Sequence, residues 1–364
     1  MTIEEIIREL ETVAPLQYQE DYDNCGLLAG QKHLEASGAL LSLDCTEDVV
    51  EEAITLNCNL IIAHHPILFK GLKKITGSNY VERTLIKAIQ NNIAIYAIHT
   101  NLDNVKTGVN QKIADKLGLV NTRILVPKNG ILKKLVTFVP VSHLEKVQTA
   151  LFAAGAGRLG NYDECGFTSS GTGTFRGNEA SKPFIGKPNE RSVEVEIRLE
   201  TIFERHLENH ILSALIAAHP YEEVAYELYD LRNVHPNIGS GMTGELPVAL
   251  SEMEFLALVK KTFLLGPVKH SHFTGKMIKK VALCGGGGSF LLKNAIGSGS
   301  EAFITSDVKY HEYFDVEKKL LLVDTGHYES EQFSPEIFYD IIQKKFTTFA
   351  IHLSKTNTNP INYF

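Results

Sequence analysis

The stretch EEAITLNCNLIIAHH, residues 51–65, joins the end of a helix to a buried strand that stops at two histidines. The residues of 46–57 show helical spacing, and Thr46 is a suitable N-terminal cap for them. The apolar run inside 59–65 predicts a buried strand. A helix that leads directly into such a strand is the second half of a βαβ unit, which predicts an α/β fold.

The same alternation continues on both sides of this stretch. A strand is predicted at 38–46, a helix at 82–92, and at 93–103 a strand that runs into a loop. We therefore expect a mainly parallel sheet, in which ligands bind beyond the carboxyl ends of the strands. The two histidines and Asp103 all fall at such ends.

The last third of the chain returns to this pattern. When 293–307 is aligned with 51–65, an Ala-Ile pair and a later isoleucine match at the same separation, and the two histidines correspond to Ser306 and Asp307. This weak repeat predicts two similar βαβ lobes that form one core around a shared cleft. The elements predicted here are strands at 279–289, 301–307, 318–327 and 349–357 and helices at 290–299 and 334–345.

The middle of the chain has a different order of elements. The pattern is β-α-β-β-α-β, which predicts a complete ferredoxin-like α+β domain inserted into the core. We expect the insert at 131–234 and a discontinuous core made of 1–130 plus 235–364. The insert's elements are predicted at 133–141, 142–155, 163–177, 192–200, 202–220 and 222–231.

Composition restricts the classes of function. The chain has 364 residues, of which 44% are hydrophobic, as is ordinary for a globular protein. Its net charge of -7 disfavours a broad surface for nucleic acid, because such a surface must neutralise phosphates. Its five cysteines are scattered, as is typical of reduced thiols in a cytosolic protein. The sequence shows neither a signal peptide nor an apolar run near the ~18 residues of a membrane span. We expect a cytoplasmic protein that does not enter membranes.

Potential metal ligands occur at four predicted strand ends. Histidine and carboxylate side chains without cysteine suit zinc, ferrous iron or manganese. The four stretches are AHHP (63–66), IHTNLDN (98–104), TSDVKYHEYFD (305–315) and DTGHYESE (324–331).

Each stretch also has a plainer interpretation. Neighbours in a strand point to opposite faces, so His64 and His65 serve one site only if the strand has ended, or else they approach two ions. Asp103 in LDN is also typical of an Asx turn. His327 and Glu331 share one face if a helical turn starts at His327, and otherwise form an exposed polar segment.

Other residues are candidates for supporting roles. His99 could be a metal ligand, a partner of the ligands or a buried histidine, and the second role is favoured. Asp307 and His311, four apart, could hydrogen-bond to the metal ligands or move protons, although Asp307 also suits a helix cap. The segment CGGGGS (284–289) could hold an anion through its amides, or form a tight turn. His219, in the insert, is interpreted as local structure or interface, with a third ligand set as the alternative.

Taken together, five motifs resemble those of the Nif-three-like dinuclear metal protein family, whose members are often described as GTP cyclohydrolase I type 2 homologues. The resemblance covers both outer thirds of the chain, and the motifs occur in the family's order. One departure is Tyr22, where the family usually has tryptophan before Asp-Asn. The motifs are DNCGLLAG (23–30), IIAHHPILF (61–69), IHTNLDN (98–104), ITSDVKYHE (304–312) and DTGHYESE (324–331).

The resemblance implies two divalent metal ions per chain, with zinc expected first and iron or manganese as alternatives. Glu331 or Asp103 would bridge the ions. It also implies that the insert resembles PII and CutA proteins, and that the chain forms a homo-oligomer, a hexamer built as a trimer of dimers. The implied metal ligands are His64, His65, Asp103, His327 and Glu331.

The implied activity is a metal-dependent hydrolysis that opens the guanine ring of GTP and releases formate. His99, Asp307 and His311 are the candidate catalytic residues for proton transfer, and CGGGGS or Lys309 would receive phosphate. The alternative is a regulatory or metal-handling protein whose insert senses a small ligand without catalysis. A ring that threads single-stranded DNA is a third possibility, disfavoured by the negative charge.

Overall fold

The computed structural model describes residues 1–362. Helices and strands alternate through most of this part of the chain. The helices are α1 (Ile3–Val13), α2 (Glu47–Thr55), α3 (Tyr80–Gln90), α4 (Thr100–Asp103), α5 (Val109–Lys116), α6 (Leu144–Ala153), α7 (Glu208–Ala218), α8 (Glu252–Thr262), α9 (Leu292–Gly297), α10 (Glu312–Asp315), α11 (His327–Glu331) and α12 (Ser334–Lys345). The strands are β1 (Gly26–Ala29), β2 (Ala39–Ser42), β3 (Leu60–Ala63), β4 (Ala94–Ala97), β5 (Val120–Pro127), β6 (Leu132–Pro140), β7 (Gly166–Phe175), β8 (Ser192–Glu204), β9 (Tyr226–Asp230), β10 (Gly239–Leu250), β11 (Lys269–His270), β12 (Ile278–Leu283), β13 (Ala302–Thr305), β14 (Leu321–Asp324) and β15 (Ile351–Leu353).

The chain divides into two compact units. One unit combines Met1–Pro127 with Pro236–Phe364, and the other is Lys128–His235. The first is called the core unit below, and the second the insert unit. The predicted α/β class is confirmed at the level of a mixed α/β fold with several sheets.

The core unit contains two sheets whose central strands share one topology. In the five-stranded sheet the order is β1-β4-β3-β2-β15, and β2, β3 and β4 are parallel. In the six-stranded sheet the order is β11-β14-β13-β12-β10-β5, and β12, β13 and β14 are parallel. The two parallel triplets follow the same spatial order, as two similar βαβ lobes require. The predicted edge strand at 349–357 is confirmed as β15 at the edge of the first sheet.

The expectation of a mainly parallel sheet is confirmed for the five-stranded sheet, in which β15, β2, β3 and β4 are parallel, and is wrong for the strands that flank the parallel triplet of the six-stranded sheet. β1, β5, β10 and β11 all pair antiparallel with their neighbours. The sequence prediction missed β5 and β10, which flank the insert. β10 contains three glycines and Pro247, residues that normally argue against a strand interior, and its register is irregular between Glu245 and Leu250.

The parallel strands have their carboxyl ends at the same edge of each sheet because they run in the same direction, and they are short and completely buried. Every residue of β2, β3, β13 and β14 is buried. Burial on both faces is typical of parallel strands that are covered by helices, and it explains their continuous apolar composition. Polar residues can therefore begin only where each strand ends, which fixes the place of the candidate site.

The insert unit is an antiparallel sheet in the order β7-β8-β6-β9, with α6 and α7 against one face. This order and the sequence β-α-β-β-α-β define the ferredoxin-like topology. Leu199 and Phe203 of β8 belong to the buried cluster that includes both helices, whereas Glu196 and Arg198 alternate with them and point to the opposite face. That second face is called the helix-free face below.

Across residues 1–362 the structure contains no helix that is both long enough and apolar enough to cross a bilayer.

We predict that the core unit folds without the insert. Pro127 of β5 pairs with Gly239 of β10, so the two ends left by removing 128–235 already lie on adjacent antiparallel strands. A Gly-Ser-Gly linker in place of 128–235 should give a soluble chain with one cooperative thermal transition, followed by circular dichroism. Aggregation of this variant under conditions in which the full chain is soluble would contradict the prediction.

Candidate metal centre

The five predicted ligands lie together where the parallel strands end. His64 and His65 follow β3 directly, and Asp103 is the last residue of α4, a single turn beyond β4. His327 and Glu331 are the first and last residues of α11, which begins three residues after β14. The helical turn proposed for this segment is therefore confirmed, and it presents both side chains to the same cleft.

The first group of donors lies deep in the protein around His64. Its Nδ1–H donates to the carbonyl oxygen of Ile98 at 2.9 Å, which leaves Nε2 as the atom with a free lone pair. That Nε2 is buried without a hydrogen-bond partner, 3.6 Å from Asp103 Oδ1 and 3.8 Å from Glu331 Oε1. Asp103 Oδ1 is also buried and unpaired. Two such atoms facing each other are rare in proteins, and a cation between them would satisfy both.

The second group of donors lies nearer the surface. His65 Nε2 is 2.9 Å from Glu331 Oε2, and His327 Nε2 is 3.1 Å from the same oxygen. The two imidazole Nε2 atoms are 3.3 Å apart. The other nitrogen of each ring is held by a carboxylate, with His65 Nδ1 2.7 Å from Asp44 and His327 Nδ1 2.6 Å from Asp307.

These donors form two trios that share Glu331. Within each trio, His65–His327–Glu331 and His64–Asp103–Glu331, the donor atoms lie within 4.8 Å of one another. Oxygen Oε2 of Glu331 faces the first trio and Oε1 faces the second. A third trio joins His99 to the two adjacent histidines. The arrangement is a group of histidine and carboxylate donors that could bind a metal ion.

The charges of the site depend strongly on one another. Burial lowers the pKa of His64 to about 4, so this imidazole is neutral near pH 7 and ready to donate a lone pair. Burial and the neighbouring Glu331 charge raise the pKa of Asp103 well above its ordinary value. Burial would also raise the pKa of Glu331, but its hydrogen bonds with the histidines, above all His327, hold it well below the usual range.

The pKa values of His65 and His327 are raised, whereas that of His64 is lowered. Burial would lower the pKa of His65, but hydrogen bonds to Asp44 and Glu331 raise it to about 10. The hydrogen bond to Glu331 likewise raises the pKa of His327 to about 9. Without a metal both rings carry protons near neutral pH, so a metal ion that binds them must displace those protons.

Sequence analysis missed two carboxylates that orient the site. Asp44 lies just beyond β2 and contacts His65, while Asp23 Oδ1 is 2.9 Å from His99 Nδ1 and its other oxygen accepts from Thr100. Although burial opposes it, the hydrogen bond with His99 keeps the pKa of Asp23 well below its usual range. The signal for Asp44 was present, because this residue follows a buried parallel strand in the same way as His64.

The three candidate catalytic residues have different surroundings. His99 lines the cleft, and Asp307 accepts from the Nδ1–H of His327. Asp307 has φ +56° and the next helix begins at Glu312, so it does not serve as a helix cap. His311 is exposed, packs against Tyr310 and Phe314, and is absent from the cleft lining.

A profile of the family Duf34/NIF3 (NGG1p interacting factor 3) matches residues 1–360. The chain belongs to the DUF34/NIF3 family. This agrees with the resemblance inferred from the motifs, and it covers the insert as well as the core.

Curated relatives and solved structures agree with this assignment. A "GTP cyclohydrolase 1 type 2 homolog" of Bacillus subtilis is 35% identical over 370 residues, covering 99% of this chain and 98% of the relative. A protein with the same description from Halalkalibacterium halodurans is 40% identical over 324 residues, covering 88% and 87%. A crystal structure of a Bacillus cereus protein related to NIF3 matches with a TM-score of 0.86 and 36% identity, over 100% of this chain and 99% of the other.

In this member of the DUF34/NIF3 family, three amides of the CGGGGS loop are already hydrogen-bonded to side chains around the site. The amides of Gly285, Gly286 and Gly288 already donate to the side chains of Asn110, Ser330 and Thr305, in that order. The backbone of the loop lies against the shared carboxylate, since a methyl group built on Gly286 would overlap Glu331 Oε1. The tight-turn interpretation of this segment fits these contacts.

Two other residues weighed from the sequence lie outside the cleft. Lys309 is exposed and does not line it. His219 has both ring nitrogens engaged, because Nε2 contacts the carbonyl oxygen of Phe138 at 3.0 Å and Nδ1 accepts from the amide of Tyr221. These bonds give His219 a local structural role in the insert unit.

The cleft is open enough to admit a small molecule. Its volume is about 490 Å³. Phe69 packs edge-on against His99 at one wall, with ring centroids 5.9 Å apart, so an apolar surface borders the polar floor. The other lining residues include Tyr22, Leu43, Asp44, His65, Asp103, Asn110, Cys284, Phe290, His327, Tyr328 and Glu331.

We predict that Asp44→Asn weakens metal binding without unfolding the chain. The amide keeps the shape of the side chain but no longer holds the His65 ring as a charged acceptor, so that ring loses orientation and basicity. A loss of about 10- to 100-fold in zinc affinity is expected, measured by competition with a chromophoric chelator. Asp48→Asn, an exposed aspartate on the adjoining helix, is the control and should retain wild-type affinity. Equal affinities of the two variants would contradict the role given to Asp44.

Proposed function

We propose that the chain is a dinuclear-metal-dependent hydrolase of the GTP cyclohydrolase type, which opens the guanine ring of a nucleotide. The observation that carries the proposal is the pair of donor trios sharing Glu331, of which the trio with His64 and Asp103 contains two buried atoms without hydrogen-bond partners. The description of the relatives as GTP cyclohydrolase 1 type 2 homologs supports the substrate class.

We assign one ion to each trio. His65, His327 and Oε2 of Glu331 would hold the first ion, while His64, Asp103 and Oε1 would hold the second, which makes Glu331 the bridging ligand. The ligand set fits zinc, and iron or manganese would accept the same donors. Because Asp44 and Asp307 each hold the outer nitrogen of a histidine, both imidazoles are oriented before a metal arrives.

When bound, two divalent ions would supply Lewis-acid chemistry, namely activation of water near neutral pH and stabilisation of developing negative charge. The protein's own part is to hold and move protons beside them. His99 donates its Nδ1–H to Asp23, so Nε2 is the nitrogen that can exchange a proton with a bound ring. Its ring centroid is 5.1 Å from that of His64 and 5.3 Å from that of His65, which places it next to both trios.

The exposure of the donors favours catalysis over the regulatory alternative. Structural zinc sites are closed by protein ligands, whereas catalytic sites keep an open position. The side chain of Glu331 is only 3% exposed, but that of His327 is 38% exposed and lies at the open cleft. A solvent molecule or substrate atom can therefore approach the ligands from one side.

The test is to load the purified chain with zinc, iron or manganese and to assay formate release from GTP. We expect formate with at least one metal and none after chelation. His99→Ala should lower kcat by about 100-fold or more, whereas His311→Ala, outside the cleft, should leave kcat unchanged. Absence of formate with all three metals would refute the cyclohydrolase activity and favour the regulatory alternative.

Three properties implied earlier remain predictions. A homohexamer is expected, and light scattering coupled to size-exclusion chromatography measures it directly. A cytoplasmic location and the absence of nucleic-acid binding are also expected, the second because of the net charge of -7.

A further inference from the structure

A second cavity lies wholly within the insert unit, on the helix-free face of its sheet. Its volume is about 700 Å³. The floor is formed by β6, β7 and β8, and the walls by 177–184 and 221–225. The amide of Lys182 donates to Glu222 Oε1 at 2.9 Å, so the two wall segments are joined to each other.

The cavity is lined by aromatic rings. Phe175 and Tyr221 have ring centroids 5.8 Å apart, and Phe184 and Tyr221 are 6.2 Å apart. Phe138 also contributes to the lining. The ring of Phe184 is 52% exposed, which is unusual for a side chain that serves only the packing of a core. At these distances the rings contact one another, so they form a continuous aromatic wall against which a ligand in the cavity can pack.

A buried carboxylate lies among these rings. Glu196 is 8% exposed, and Tyr221 donates its hydroxyl to Oε1 at 2.8 Å. Between residues 1 and 362, no side chain or amide donates to Oε2, and no lysine, arginine or histidine lies within ion-pair distance of Glu196. A carboxylate with so little exposure favours a charged or hydrogen-bonding partner, and a cationic ligand in the cavity would provide one.

The glycine-rich strand β7 makes the space in front of Glu196. Gly171 pairs with Glu196 and Gly173 with Glu194, so both glycines lie on the helix-free face beside the carboxylate. A methyl group built on Gly173 would overlap Glu196 Oε2. The absence of a side chain at Gly173 leaves the space that the Glu196 carboxylate occupies beside the cavity, which gives the glycines of SSGTGTFRG a physical reason.

The charges around the cavity favour a cation over an anion. Arg198 of β8 lines the cavity, and it is already paired with Glu200 at 3.0 Å. Glu222 and Glu223 add two carboxylates at the wall, while Arg176 is exposed at the rim. A phosphate or carboxylate ligand would meet more negative than positive charge here.

We propose that this cavity binds a small organic cation, with an ammonium group over the rings of Phe175, Phe184 and Tyr221 and against Glu196 Oε2. Aromatic faces attract a cation through their quadrupoles, and aromatic cages bind quaternary ammonium groups in this way. Glu196 adds a carboxylate beside these rings. The proposal is independent of the metal centre, since every residue it uses belongs to the insert unit.

The probe is choline, titrated into the full-length chain by isothermal titration calorimetry. Its uncharged isostere, 3,3-dimethylbutan-1-ol, has the same shape and separates charge recognition from apolar filling. We expect saturable binding of choline and at least about tenfold weaker binding of the alcohol. No saturable binding of choline, or equal binding of the two probes, would overturn the proposal.

Variants locate the binding. Glu196→Gln and Phe184→Ala should each weaken choline binding by about tenfold or more. Glu145→Gln, an exposed glutamate on α6, is the matched control and should bind as wild type. If Glu196→Gln fails to fold, Gly173→Ala keeps every charge but displaces the carboxylate, and it should weaken binding by a similar factor. Unchanged affinity in a folded Glu196→Gln or Gly173→Ala chain would place choline elsewhere and refute the site.

Discussion

Glu331→Gln is expected to abolish the binding of both metal ions. Glu331 belongs to both donor trios and presents one oxygen to each, at 2.9 Å from His65 Nε2 and 3.8 Å from His64 Nε2. The amide removes the negative charge that the histidines surround, and one of its two oxygens becomes a nitrogen that cannot ligate. We expect affinity to fall by well over 100-fold, beyond the 10- to 100-fold typical of residues that only orient ligands.

The metal content of the purified, dialysed wild type and variant is measured by inductively coupled plasma mass spectrometry. Two ions per chain are expected for the wild type and nearly none for Glu331→Gln, together with loss of formate release. Glu317→Gln is the control, because this glutamate is exposed and lies outside the cleft. Retention of one full ion in Glu331→Gln would show that Glu331 does not bridge the two sites.

Gly286→Ala is expected to disrupt the same site through the backbone. Gly286 has φ +61°, a left-handed conformation that costs an alanine about 1 kcal/mol. Its added methyl group would also overlap Glu331 Oε1, the oxygen that faces His64 and Asp103. Because Glu331 is buried and packed from several sides, its carboxylate cannot move away without leaving its trios. We expect zinc affinity to fall by about 100-fold, as for loss of a residue that fixes a ligand.

The neighbouring glycine provides a matched control. Gly287→Ala places its methyl group 3.4 Å from Asp307 Oδ2, an ordinary contact, and Gly287 is not in the left-handed region. This variant should bind zinc nearly as the wild type does, in the same chelator competition. If Gly286→Ala and Gly287→Ala bind zinc equally well, the loop does not constrain Glu331.

The sequence was informative about the ligands because each follows a recognisable local pattern. His64 and His65 end an apolar run before Pro66, and the four-residue spacing of His327 and Glu331 matches one helical turn. The positions of parallel strands follow from continuous apolar runs, and their carboxyl ends are where binding groups collect. The order of elements in the insert could also be predicted, because its helices and strands show local periodicity.

The antiparallel strands were harder to predict. β5 exposes residues irregularly, and β10 carries glycines and a proline, so neither shows the period-two pattern of a half-buried strand. β5 and β10 pair with each other although more than 100 residues separate them, so no local pattern predicts this pairing. The irregular composition reflects their position at the junction with the insert.

The four-residue spacing of Asp307 and His311 does not place both side chains at the cleft, because His311 is not among the residues that line it. Four residues bring two side chains together only within a helix, and α10 begins after His311. Asp307 has φ +56°, so it is not in a helical conformation. Its side chain accepts a hydrogen bond from His327.

By itself the sequence determined the α/β class, the ferredoxin-like order of the insert, the family and the five side chains at the strand ends, because these depend on local periodicity and motif spacing. Only the tertiary structure decided that Asp44 binds His65 and that Asp23 binds His99. It also decided that the glycine loop packs against Glu331, and that Glu196 of the insert lines a cavity with aromatic walls. The reason is physical: a buried polar atom acquires or lacks a partner according to which distant segments pack against it, and packing is not encoded at any single position.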